Sequence, residues 1–422
     1  MSTLDQRFAE AMGAALGPAF PSEIALAVSG GGDSMAMLTL AHNWTHRWGV
    51  RLRIVTVDHG LRPEAAQEAA LVRATCDELG HPHDILHWHW DGQGNLMDAA
   101  RRGRLTVIGD WLQGTRHLLL AHTRDDVAET FLMRLARGSG VDGLSAMAPL
   151  RDIARPDGSS FSVLRPCLDM GREELRHYLR TLKGTWVEDP SNQDDRYERA
   201  RLRKLLATLG GYGLDAATLA QTANRMSRSA DALRQRAAEA WTRIGTEDSA
   251  AATLSFERDS FAALDRDTQA RLLAAALQFV AQASYRPRSA ALESLLDRLL
   301  AGGAGTLHGC EARCGRTNLR IFREYAAVAA TRTPAAAGLW DGKWLISHPD
   351  CADLTVRALG DDGWRQAETA REHGPAHAIS RGLPSLWRGD RLVACDALNL
   401  GPGGTATLVP GARGFAGFLL SR

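Results

Sequence analysis

The chain has 422 residues, 45% of them hydrophobic and 23% charged, which fits two or three ordinary globular domains and excludes a low-complexity or fibrous chain. A formal net charge of +1 excludes a globally basic nucleic-acid binder, so any RNA contact has to be local. No run of about 18 apolar residues occurs, and the stretch Met1 to Ala11, with Asp5, Arg7 and Glu10, lacks a secretory core; a cytoplasmic location without membrane contact is expected.

Ile24 to Val28 is a short apolar run that predicts a buried strand. Ser29-Gly30-Gly31-Gly32-Asp33-Ser34 follows it directly, and Ser34 to Trp48 predicts a helix. Glycines let the backbone approach an anion closely, and loop N–H groups at a helix N-terminus favour phosphate. The hydroxyls of Ser29 and Ser34 add donors. No Gly-Lys-Ser/Thr follows, so this is not a Walker A loop, nor is it G-x-G-x-x-G. Asp33 puts negative charge where phosphate would sit, a conflict that a shared Mg²⁺ resolves. The plain alternative is a strand-to-helix turn with Asp33 or Ser34 as N-cap.

Arg53 to Val57 predicts a second strand with Asp58-His59-Gly60 at its carboxyl end, and Pro63 to Leu79 a helix. Ile85 to Trp90 predicts a third strand. His83, His87 and His89, alternating there, mark a strand with one polar face rather than a metal site. Leu96 to Leu112 predicts a helix with Arg101 and Arg104 three apart on one face. His117 to Ala121 predicts a fourth strand, His122 to Asp126 lies at its end, and Asp126 to Arg137 predicts the next helix. This alternation implies an α/β fold, a doubly wound parallel sheet whose ligand edge lies at the carboxyl ends of its strands. The three polar loops all fall on that edge. Asp126 and Glu129 share a helix face, and two carboxylates there need a cation between them. Magnesium or an amine substrate would serve; the plain alternative is acidic residues favoured at a helix N-terminus. His122 is either a structural donor or a phosphate contact.

Gly138 to Ser162 is loop-rich, and Gly171 to Leu182 predicts a helix. Arg196 to Lys204 is basic and carries Arg199, Arg201 and Arg203, a solvated face or a phosphate-backbone contact. Gly210 to Gly213 reads as a linker. Helical patterns follow over Asp215 to Trp241, with Arg225, Arg228, Arg234 and Arg236, and over Phe261 to Leu300. Thr333 to Gly338 reads as a second linker before a short α+β region. The six cysteines, Cys76, Cys167, Cys310, Cys314, Cys351 and Cys395, form no C-x-x-C. Only Cys310 and Cys314 are close, a weak metal signal, and reduced thiols are expected.

In order and spacing these stretches resemble the tRNA(Ile)-lysidine synthetases, a family of the ATP-pyrophosphatase (PP-loop) superfamily. The matching stretches are Ser29 to Ser34, Val57 to Arg62, Ala100-Arg101 with Arg104, and Ala121-His122 through Asp125-Asp126 to Ala128-Glu129-Thr130. Arg137 to Gly140, Gly143-Leu144, Arg165-Pro166, Trp186 to Asn192, and Arg199, Arg201 and Arg203 continue the series. Thr306 to Cys310, Arg323-Glu324 and Leu354 to Arg357 are weaker likenesses. The glycine loop alone marks the superfamily; Asp58-His59-Gly60-Leu61-Arg62 and Glu188-Asp189-Pro190-Ser191-Asn192 are more specific. Thr123, Val127, Leu105 and Ala200 depart from the residues usual in the family.

The resemblance implies a PP-loop, Rossmann-like catalytic domain over 1–212, a mostly helical tRNA-binding middle domain over 213–334 and a small α+β C-terminal domain over 335–422 with contacts on the acceptor side of the tRNA. It implies a ligase that joins L-lysine to carbon 2 of the wobble cytidine of the CAU-anticodon isoleucine tRNA. An adenylated cytidine is the implied intermediate, pyrophosphate and AMP are the products, and decoding changes from AUG to AUA. ATP and Mg²⁺ are implied, with no obligate protein partner. Ser29, Gly30, Gly31, Gly32, Asp33, Ser34, Asp58, His59, Arg101 and His122 are the implied ATP site, and Asp33 and Asp126 the metal ligands. Asp33, Asp126, Glu129 and Arg104 form the implied catalytic set, with Glu129 holding lysine, and Arg199, Arg201 and Arg203 meet the tRNA. Two other readings are a PP-loop tRNA thiolase, which would carry paired reactive cysteines or an iron–sulfur cluster, and a nucleotide-binding regulator without turnover.

Overall fold

The computed structural model describes residues 2–60, 65–90, 92, 96–155, 159–188, 196, 198–283, 285–409 and 414–421. Leu61, Arg62 and the stretch Asp189 to Asn192, which carry part of the family resemblance, lie outside the described residues, as does Pro63. The chain forms two compact units, Met1–Ala230 and Asp231–Ser421.

The first unit runs α1 (Leu4–Leu16), β1 (Glu23–Ala27), α2 (Gly32–Trp48), β2 (Arg51–Asp58), α3 (Ala65–Leu79), β3 (His83–His87), α4 (Leu96–Leu112), β4 (His117–Leu119), α5 (Arg124–Ala136), α6 (Val141–Leu144), β5 (Leu150–Ala154), β6 (Ser160–Leu164), α7 (Arg172–Thr181), α8 (Glu198–Gly210) and the first half of α9 (Ala216–Ile244). Its six-stranded sheet has the order β3-β2-β1-β4-β6-β5. All pairs are parallel except β5 with β6. Ile24, Ala25 and Leu26 of β1 are fully buried, as a central strand covered on both faces requires. The direction of strand succession reverses between β1 and β4, so the loops leaving those neighbours diverge and open a crevice, the usual ligand position in such sheets.

α2 buries Met35, Ala36, Met37, Leu38, Leu40, Ala41 and Trp44 against this sheet and α1. It stops at Gly49, whose φ of +67° is the left-handed cap that glycine adopts without strain. Two features escaped the sequence reading. α1 is pinned by the reciprocal Thr3–Gln6 capping box and by the buried Phe8 and Met12. Within the stretch read as loop-rich, β5 and β6 form a hairpin that completes the sheet. β5 is an exposed edge strand, Leu-Arg-Asp-Ile-Ala, with no apolar alternation to betray it.

The second unit contains the rest of α9, then β7 (Gly245–Asp248), β8 (Thr253–Glu257), α10 (Arg258–Ala262), α11 (Arg266–Ala281), α12 (Ser289–Leu300), β9 (Ala304–Leu307), β10 (Cys310–Cys314) and β11 (Asn318–Arg323). Helices supply most of this stretch, as their periodicity indicates. They pack with a five-stranded antiparallel sheet, β7-β8-β11-β10-β9, that short strands concealed. Thr333 to Gly338 is not a free linker: Arg332–Pro334 pairs in a four-stranded sheet and Ala335 is buried. A further three-stranded sheet lies in the C-terminal part. No helix among the described residues is long and apolar enough to cross a membrane.

Candidate active site

The glycine loop leaves β1 and turns into α2 at the crevice. Gly30 has φ +82°, a conformation costly for any side chain, and Gly31 is the N-cap of α2. The loop is laced from within: Ser34 Oγ accepts from Ser29 N at 3.2 Å and donates to the Gly31 carbonyl at 2.9 Å. Val187 N–H donates to the Gly30 carbonyl at 3.0 Å, tying the segment after α7 to the loop. Beside it Asp58 Oδ1 accepts from Gly60 N–H at 2.8 Å, an Asx turn that shapes the end of β2. His59 stands edge-on to Trp88, ring centroids 5.6 Å apart.

These loops line a cavity of about 420 Å³, within the size range of small-molecule sites. Ser29, Gly31, Gly32, Asp33, Ser34, Asp58, His59, Arg104, His122, Asp126 and Arg203 all contribute to its wall. Gly31, Asp58 and Asp126 thus share one rim. Gly30 sets the loop conformation from behind, Arg101 and Arg201 are exposed, and Glu129 lies fully buried beneath the wall.

The acidic residues meet a cation supplied by the chain itself. Arg172, the first residue of α7, donates Nε to Asp33 Oδ2 at 3.1 Å and Nη1 to Glu129 Oε1 at 3.1 Å, with Nη2 3.5 Å from Asp126 Oδ1. Its backbone N–H donates to Asp125 Oδ2 at 2.7 Å. Arg203 Nε donates to Glu129 Oε1 at 2.7 Å, and Arg199 approaches Asp126 at 3.8 Å. Burial opposes the charge of Arg172, but Asp126, Glu129 and Asp33 outweigh it and hold the guanidinium firmly protonated. Burial raises the Asp33 carboxyl, against the pull of Arg172. Asp126 is buried too, yet Arg172 and the Thr123 N–H hold it below the usual carboxylate range. Thr123, where the family usually has another residue, is fully buried and donates both N–H and Oγ1–H to Asp126 Oδ2 at 2.9 Å.

His122 stands among cationic neighbours as well as Asp126. His122 is pushed down to about 4 by burial and by Arg165, Arg104 and Arg199, against the opposing charge of Asp126, so its imidazole is neutral at pH 7. Burial and the neighbouring Arg101 and Arg199 lower Arg104, and burial with Arg151 and Arg101 brings Arg165 to about 10. The Nε atoms of Arg104 and Arg165 and Nδ1 of His122 are buried without hydrogen-bond partners. The guanidinium N–H donors left unsatisfied this way suit an anion.

Asp33 Oδ1 and Glu129 Oε2 are likewise buried and unpartnered. Asp33 lines the same cavity as the glycine loop, and its unpartnered Oδ1 is a ligand that fits a hard divalent cation shared with phosphate. Asp126, in the wall of the same cavity, would be the second residue to hold such an ion. Sequence reasoning missed Arg172 and Arg176. Arg172 carries no local signature, because its partners come from α2 and α5. Arg176, on the next turn of α7, joins Glu188 at 3.0 Å and packs over Gly32. The cysteines are elsewhere and unbridged. Burial pushes the Cys76 thiol up to about 12 and raises Cys167 as well. No cluster of metal-ligating residues occurs among the described residues.

The PP-loop domain signature matches residues 4–209. The chain is similar to curated proteins named tRNA(Ile)-lysidine synthase. That of Ruegeria pomeroyi is 40% identical, over 95% of this chain and 94% of its own. That of Wolbachia pipientis is 34% identical over 90% of each, and that of Hyphomonas neptunium 37% identical over 75% of this chain and 86% of its own. Among solved structures, a U34-tRNA thiolase from Methanococcus maripaludis with its [4Fe-4S] cluster aligns with a TM-score of 0.44 at 16% identity, covering 53% of this chain and 78% of that one.

Proposed function

This chain belongs to the tRNA(Ile)-lysidine synthase family, and from that premise we propose that its cavity adenylates the wobble cytidine of the CAU-anticodon isoleucine tRNA and then joins L-lysine to carbon 2. Homologues that share this name over nearly the whole chain support the ligase reading, with ATP consumed to AMP and pyrophosphate. The observation that carries it is the pairing of two opposite environments at one cavity: a glycine loop with unsatisfied cationic donors nearby, and Asp33 and Asp126 in the wall with Glu129 buried behind them. A triphosphate suits the first and an ammonium the second.

The cytosine carbonyl oxygen is a poor leaving group. Attack of that oxygen on the α-phosphorus of ATP expels pyrophosphate and leaves AMP on the base; the lysine amine then displaces AMP from carbon 2. Pyrophosphate would rest on the N–H groups of the loop Gly30 to Gly32 and the hydroxyls of Ser29 and Ser34, at the N-terminus of α2. Asp58 and His59 would flank the nucleotide, with Arg101 and His122 on the phosphate side. Magnesium, held at Asp33 and Asp126, would neutralise charge on the α-phosphate. Arg104, with its unpartnered Nε, would stabilise the negative charge that develops there. Free lysine has a side-chain pKa of about 10.4 and arrives protonated, so a carboxylate has to receive its ammonium and relieve it of a proton. Glu129, with Asp33 and Asp126 beside it, would do this. Arg199, Arg201 and Arg203 would bind the RNA backbone. In this reading residues 1–212 form the catalytic domain, 213–334 a tRNA-binding domain and 335–422 a domain for the acceptor side, in a cytoplasmic enzyme.

A thiolase would carry paired reactive cysteines; the six here form no C-x-x-C, and Cys76 and Cys167 lie buried outside the motif loops. The test omits lysine. With ATP and the tRNA alone the enzyme should release pyrophosphate and leave AMP bound to RNA; ATP binding with no pyrophosphate would instead identify a regulator without turnover.

A further inference from the structure

Glu129 is 0% exposed, and what covers it is cationic. Arg172 and Arg203 both donate to its Oε1, at 3.1 and 2.7 Å, while Oε2 is buried without a partner. An ammonium seeking Glu129 finds one oxygen already doubly held and the other sealed in. Like charges compete for a single carboxylate, so one guanidinium has to leave before an amine can bind.

Their departures would differ in what they leave behind at the carboxylates. Arg172 is 16% exposed and touches Asp33 and Asp126 as well; its departure would strip the cation from three carboxylates at once. Arg203 is 28% exposed on α8, four residues from the outward Arg199, so the two share a helix face. When Arg203 lets go, Glu129 still keeps Arg172.

We propose that Arg203 is an exchangeable counter-ion, bound to Glu129 while lysine is absent and transferred to an RNA phosphate in the working complex, so that RNA binding opens the amine site. The proposal rests on the reading of tRNA and lysine as substrates. A phosphate offers the guanidinium a bidentate anionic partner, and Glu129 Oε1, still held by Arg172, then has one acceptor position open to the ammonium. The amine is admitted when its acceptor is in place. Because linkage is reciprocal, lysine must tighten RNA binding by the same factor.

The test is equilibrium dialysis of labelled lysine against the full-length protein with a non-hydrolysable ATP analogue, with and without the CAU-anticodon tRNA. Wild type should bind lysine about tenfold more tightly with RNA, within the usual range of such couplings. Arg203→Lys should keep the gain. Arg203→Gln should bind lysine without RNA as tightly as wild type does with it, and gain nothing from RNA. Equal lysine affinity with and without RNA in wild type, an undiminished gain in Arg203→Gln, or weaker lysine binding by that variant would each overturn the exchange. Pyrophosphate release by wild type from ATP and tRNA without lysine keeps the two levels apart. Its absence counts against the functional reading; its presence with an unaltered Arg203→Gln counts against the exchange alone.

Discussion

Asp33, Asp126 and Glu129 come from two helices, and what makes them one site is Arg172 lodged among them. Sequence spacing put Asp126 and Glu129 on one face, which left a cation between them and helix N-terminal acids as the two readings. It did not show that the chain supplies one from α7, because a contact spanning 139 residues leaves no local pattern. Asp33→Ala and Asp126→Ala should each abolish lysine incorporation, by about a thousandfold or more, with cooperative urea unfolding retained; near-normal turnover in either would refute their roles. His122 gives a pH signature. An unfolded histidine takes its proton near pH 6.5, whereas the folded imidazole resists until about 4. Between those values the unfolded chain binds the extra proton, so the contribution of His122 is present above pH 6.5 and lost as pH falls toward 4. His122→Asn should shrink the loss of stability from pH 7 to pH 5 by up to about 2 kcal/mol, read from urea unfolding at both pH values.

At the scale of elements, the β1–α2, β2–α3 and β4–α5 units were legible because buried parallel strands read as apolar runs and their helices repeat. The β5–β6 hairpin and the five-stranded sheet of the second unit were not, since short or edge strands carry little period. One close approach sets the position of α4. A Cβ at Gly103 would stand 1.8 Å from Trp88 Nε1, so only glycine lets that helix approach the segment after β3. Gly103→Ala should force Trp88 aside and shift the adjacent Arg104. A stability loss of about 1–3 kcal/mol with a raised KM for ATP is expected; an unchanged KM would show that Arg104 is placed by other contacts.

For the molecule as a whole, a net charge of +1 means that RNA affinity has to come from local basic groups. Composition points to such local groups but does not say where they lie, and no motif assigns the second unit a part in RNA binding. Arg199, Arg201 and Arg203 on α8 are the proposed contacts beside the cavity. Arg201→Ala should weaken tRNA binding more than ATP binding and lower the slope of log affinity against log salt by about one. Equal affinity and slope in filter binding would remove this helix from the RNA surface.

The reaction itself is tested by incubating the enzyme with ATP, labelled lysine and total tRNA, then digesting the RNA to nucleosides. The account predicts one labelled product, a cytidine carrying lysine at carbon 2, formed with one AMP and one pyrophosphate. Intact ATP with no label in RNA, or a sulfur-bearing nucleoside in its place, would contradict it.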